Sequence, residues 1–76
     1  MPCKESSVTL SERARSLLDQ FGLVERDLKR ARAGSASIAE SPRYLVIRGD
    51  LPDGRSVRML CSFANPCHIV TFRPTT

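Results

Sequence analysis

The chain has 76 residues, with 12 Lys and Arg against 8 Asp and Glu for a net charge of +4, and is 41% hydrophobic and 26% charged. A chain this short holds one core and buries only about 60% of the surface its unfolded form exposes, which excludes a two-domain enzyme with an enclosed cofactor cleft. Composition in the ordinary globular range argues against wholesale disorder, and no apolar run approaches the roughly 18 residues of a membrane span.

The opening stretch, residues 1–8, has no periodicity and reads as a flexible arm; residues 9–76 read as a single domain. The arm lacks the apolar stretch of a secretory signal, so a soluble cytoplasmic protein with no membrane contact is the expectation. Thr9-Leu10-Ser11-Glu12 fits a capping box, and Leu10, Ala14, Leu17, Leu18 and Phe21 then fall on one helical face. This predicts a helix over about 10–21, stopped by Gly22. A second helix is expected over about 25–33, with Val24, Leu28 and Ala31 as its apolar stripe. Its Glu25 and Asp27 come early and its Lys29, Arg30 and Arg32 late, the order that suits the helix dipole. The small, polar stretch 34–42 reads as a linker. After it the period changes from 3.6 to 2, giving strands at about 43–50, 55–63 and 68–73, with Leu51-Pro52-Asp53-Gly54 and Asn65-Pro66 as turns. The expected fold is α+β, two N-terminal helices on one face of a three-stranded antiparallel meander in the order ααβββ.

The three cysteines, Cys3, Cys61 and Cys67, are odd in number and read as reduced thiols packed like small apolar residues. Cys61-x5-Cys67-His68 lacks the tight knuckle spacing of a structural zinc site, so neither a metal nor a cofactor is expected.

Charge is unevenly placed. Residues 54–76 contain Arg55, Arg58 and Arg73 but no Asp or Glu, and every Lys or Arg after the linker is Arg, including Arg43 and Arg48. A guanidinium offers a planar fork for bidentate phosphate contact, which an ammonium does not. Strand alternation puts Arg58 opposite Val57 and Met59 and puts Thr71 and Arg73 opposite Val70 and Phe72, so the arginines share an outward face, with Arg48 joining if Leu45 and Ile47 are buried. Such a face suits a polyanion, RNA or DNA first. Solubility and edge protection alone also place Arg on exposed strands. Tyr44 is the one plausible exposed stacking ring, which argues against a base-stacking platform of the single-strand-binding type.

The run Arg-Tyr-Leu-Val-Ile-Arg-Gly-Asp-Leu-Pro-Asp-Gly-Arg (43–55), with Val-Arg-Met-Leu-Cys (57–61) and His-Ile-Val-Thr-Phe-Arg-Pro (68–74), resembles the sheet of small RelE/ParE/BrnT-like toxins of bacterial type II toxin–antitoxin systems. The helical part, residues 10–28, resembles the two-helix opening of the same group, with Arg13 where relatives often carry His and Val24 where a Ser or Thr usually caps the second helix. The resemblance implies a metal-independent endoribonuclease that cleaves RNA, with ribosome-associated mRNA among the candidate substrates, by attack of a 2′-hydroxyl, silenced by a cognate antitoxin protein. That chemistry needs an acid or base and cations for the developing phosphorane charge. His68 is the candidate acid or base, with Arg58 and Arg73 stabilising the phosphate. Arg48, Arg55, Tyr44 and Thr71 are the candidate substrate-binding residues. Strict alternation sets His68 on the Val70 and Phe72 side, away from Arg73, unless a bulge re-aims it. The alternative is a binding module without chemistry: a ParE-like, antitoxin-like or immunity-like protein partner, or a nucleic-acid-binding accessory protein.

Overall fold

The computed structural model describes residues 3–35, 37–40 and 42–75. Positions 1 and 2 of the predicted arm, 36 and 41 of the predicted linker, and residue 76 lie outside the described residues. In chain order a single 3-10 turn (Glu5–Ser7) leads to β1 (Thr9–Leu10), α1 (Glu12–Phe21), α2 (Glu25–Ala33), β2 (Ser37–Glu40), β3 (Tyr44–Asp50), β4 (Ser56–Ser62) and β5 (His68–Thr75). The fold is α+β. One mixed sheet runs in the order β1-β5-β4-β3-β2: β2 to β5 form an antiparallel meander, and the two-residue β1 pairs in parallel with β5.

Two strands thus join the three expected ones. β2 lies inside the stretch read as a linker, where Ser, Ala and Ile give no clear alternation and pairing with β3 overrides weak local preference. β1 is too short to show a period at all. The 3–8 segment also differs from a flexible arm. Cys3 is bonded to Cys67, Val8 is fully buried, and the Thr9 amide donates to the Cys67 carbonyl. That disulfide corrects the expectation of reduced thiols for Cys3 and Cys67, while Cys61 remains a free, buried thiol. It closes a 64-residue separation, and chain-entropy reasoning gives such a loop about 4 kcal/mol of stabilisation.

The helix caps follow from who is free to cap. Thr9 is taken by the sheet, so the N-cap of α1 is Ser11, whose hydroxyl accepts from the Ala14 amide. Gly22 ends α1 in the left-handed conformation (φ 67°), as its lack of a Cβ permits. Val24 begins α2 without a side-chain cap and stands exposed, so the apolar stripe of α2 reduces to Leu28 and Ala31.

Cross-strand register sorts the sheet into two faces. Leu45–Cys61–Ile69 and Ile47–Met59–Phe72 form rows on the inner face, where most of these side chains are fully buried. α2 lies over this face: a Cβ on Gly49 would come within 2.8 Å of the Ala31 carbonyl oxygen. α1 packs along β5, with the Phe21 ring 5.9 Å from that of Phe72. The two helices therefore do not share one sheet face as a pair; α2 roofs it and α1 flanks it. Phe63, expected to follow Val57, Met59 and Cys61 inward, lies beyond the end of β4 and is exposed.

Alternation also fails at one place in β5. Leu60 pairs with Thr71 but Cys61 pairs with Ile69, leaving Val70 as a bulge. Ile69, not Val70, is the buried residue, and Val70 is only half-buried. Ser11 fixes the bulge: its amide donates to the Ile69 carbonyl and its hydroxyl to the Val70 carbonyl.

Candidate phosphate-binding face and adjoining groove

On the outer face of the sheet, Arg48, Arg58 and Arg73 stand directly opposite one another in a single row across β3, β4 and β5. At a strand spacing of about 4.8 Å the row spans about 10 Å. All three are exposed. Four cations elsewhere have carboxylate partners: Arg15 and Lys29 with Glu25, Arg30 with Glu5, and Arg55 with Asp53. Among the described residues no carboxylate forms an ion pair with Arg48, Arg58 or Arg73. Arg48 has only a long contact, 3.5 Å from its Nη2 to the Ser56 hydroxyl, which lies 3.4 Å from Asp50.

The neighbouring row is Val46–Leu60–Thr71, half-buried and mostly apolar. Beside it α1 turns Arg13, Leu17 and Gln20 toward the sheet, and together they enclose a groove of about 660 Å³. Phe21 and Phe72 also line it, as do Arg13 from the helix side and Arg58 and Arg73 from the sheet side. No acidic residue lines it.

The structure thus brings Arg48, Arg58, Arg73 and Thr71 together. Tyr44 lies on the same face, four residues before Arg48 on β3 and so about 13 Å along the strand. Arg55 does not join them. It sits in the β3–β4 turn with its Nε 2.7 Å from Asp53, and its backbone amide, then its guanidinium, hold the Asp53 carboxyl below the usual value of 3.8. Its predicted role on substrate is therefore not what the geometry favours. The Val70 bulge turns His68 to the outer face, the face of Thr71 and Arg73, and not to the Phe72 side that strict alternation gives. Even so, His68 starts β5 at the β1 edge, its Nδ1 2.8 Å from the Thr9 hydroxyl, and about 15 Å of strand separates it from Arg73.

Residues of α1 that sequence reasoning did not place at a site complete the groove. Arg13, Leu17 and Gln20 recur at spacings of 4 and 3, a second stripe beside the core stripe of Ala14 and Leu18, and that spacing was the signal available.

One cation among the described residues is buried, and it has no role on this face. Arg32, in the last turn of α2, donates from Nε to the Pro66 carbonyl and from Nη1 to the Ser35 carbonyl, tying α2 to the loop that carries Cys67. Burial pushes the nearby Cys61 thiol above its usual 9.0, against the opposing pull of Arg32. Cys3 and Cys67 are consumed by their disulfide, and no cluster of three or more His, Cys, Asp or Glu side chains able to hold a metal occurs among the described residues. No described helix is long and apolar enough to cross a membrane.

Comparison of the chain with protein-family models, with curated proteins and with solved structures gave no match.

Proposed function

We propose that the outer face of the sheet binds the phosphates of a nucleic acid, RNA foremost, through Arg48, Arg58 and Arg73. The cross-strand row carries this reading. Like charges directly opposite in a sheet destabilise it, by roughly 0.2–1 kcal/mol per pair, and this chain keeps two such pairs, Arg48–Arg58 and Arg58–Arg73, with no carboxylate among the described residues paired to any of the three, although Arg15, Lys29, Arg30 and Arg55 do have carboxylate partners. A local rule broken without compensation inside the molecule points to compensation from outside. A phosphate between neighbouring forks replaces repulsion with charge-assisted hydrogen bonds. Three such contacts to a single strand give a slope of log K against log salt of about −2, and removing Arg58 flattens it by about 0.7. Fluorescence anisotropy of a short labelled RNA, titrated with salt in EDTA, measures both; a salt-independent affinity, or none at all, refutes the reading.

A second reading, the toxin-like endoribonuclease held silent by an antitoxin, gains from the Val70 bulge, which turns His68 toward the arginine face. At His68 the acid or base would act on a linkage well removed from the row, not on the phosphate that Arg58 and Arg73 hold. This reading expects RNA cut in EDTA and left whole by His68→Ala; binding without cutting leaves the phosphate-binding module, and toxicity without RNA contact points to a ParE-like protein target. A cytoplasmic setting favours Cys3 and Cys67 as thiols, whereas their disulfide favours an oxidising one. Trapping the thiols with an alkylating reagent in the source cells separates these settings.

A further inference from the structure

Resting on the phosphate reading, we infer that the groove between α1 and the sheet is the seat of one unpaired base, so that the preferred ligand is a single strand and not a duplex. The arginine row alone does not discriminate, since both forms present phosphates. The groove does. Its volume of about 660 Å³ lies within the roughly 300–1,000 Å³ of sites that enclose small organic ligands. Leu17 on one side and Val46 and Leu60 on the other are apolar faces of the kind that hold a flipped or splayed base. Gln20 and Thr71 supply donors and acceptors at the base edge.

Arg13 gives the groove direction. It lines the groove from the α1 side, and Arg58 and Arg73 line it from the sheet side, so both elements bring guanidiniums to the apolar residues between them. A strand crossing the groove meets a cation, an apolar slot and a pair of cations in succession, which is the order phosphate, base, phosphate. A duplex keeps its bases stacked and leaves Leu60 and Leu17 facing water.

The test compares one labelled RNA as an open strand and as a closed hairpin duplex, on wild type, Leu60→Thr and Arg13→Gln. Leu60→Thr puts a β-branched strand former on a half-buried strand position, and Arg13 is exposed on α1, so both variants should fold; circular dichroism checks this. The expected result is tighter binding of the open strand by wild type and, with Leu60→Thr, a severalfold loss for that form alone, from the lost apolar contact with the base. Arg13→Gln should weaken the open strand more than the duplex. Equal binding of both forms, or variants that weaken both equally, overturns the inference and leaves the phosphate reading standing. Absence of any RNA binding removes both. Displacement of RNA by an acidic amphipathic peptide that binds more tightly, with the same sensitivity to Leu60→Thr, assigns the groove to a protein partner and also overturns it.

Discussion

Replacing Arg58 by Thr should raise stability while it weakens binding. The substitution removes both opposed like-charge pairs and installs a good strand former, so thermal unfolding should shift upward by an amount corresponding to about 0.5–1 kcal/mol. A fall in melting temperature would mean that Arg58 has a structural partner and would undercut the proposal. The nature of this position was legible in the sequence, because one period-2 strand set Arg58 apart from Val57 and Met59. What alternation could not supply was the register across three strands that lines Arg48 and Arg73 up with it. Cys61 carries a separate expectation. Its folded-state thiol pKa lies above that of the unfolded chain, near 9.0, so stability is complete below that pH and declines as pH rises from about 9 toward the folded value. Urea unfolding of wild type and Cys61→Ala between pH 8 and 10.5, as test conditions, should show a steeper decline in wild type (about those limits, chosen around the unperturbed thiol range).

At the scale of elements, the helices were readable and the sheet only half so. Ala14, Leu17, Leu18 and Phe21, then Val24, Leu28 and Ala31, announce two amphipathic helices because apolar residues recur there at helical spacing. β2 and β1 were not readable, since two to four residues without alternation become strands only through neighbours far along the chain. The bulge belongs to the same class: Val70 looks like an inward residue until Ser11, 59 positions away, takes its carbonyl. The join between α2 and β3 depends on Gly49. A Cβ there would meet the Ala31 carbonyl oxygen and the Ser35 hydroxyl at 2.8 Å each, and the former is backbone. Gly49→Ala should therefore cost about 1–3 kcal/mol and move the denaturation midpoint down accordingly. An unchanged midpoint would mean that α2 can lift off the sheet freely.

For the molecule as a whole, the odd cysteine count misled, because it says nothing about which two of three thiols meet. Only the fold brings Cys3, at one end of the chain, to within 5.8 Å (Cα to Cα) of Cys67, at the end of the β4–β5 connection. Reduction should lower stability by about 4 kcal/mol, as should Cys3→Ser to a similar degree. Chemical denaturation with and without a phosphine reductant measures this; a difference near zero would show that the closed loop gives the folded state no advantage. The first residues to feel the loss should be those around Val8 and Thr9, since the Thr9 amide donates to the Cys67 carbonyl and its hydroxyl pairs with His68. Amide exchange localises that response.

The Cys3–Cys67 crosslink also closes the backbone from residue 3 to residue 67 into a covalent circle. Should a protease cut once inside that circle, for instance between α2 and β3, the two pieces stay one molecule until a reductant is added. Such a nicked species would migrate as a single band under oxidising conditions and as two under reducing ones, and its halves could not diffuse apart even while unfolded.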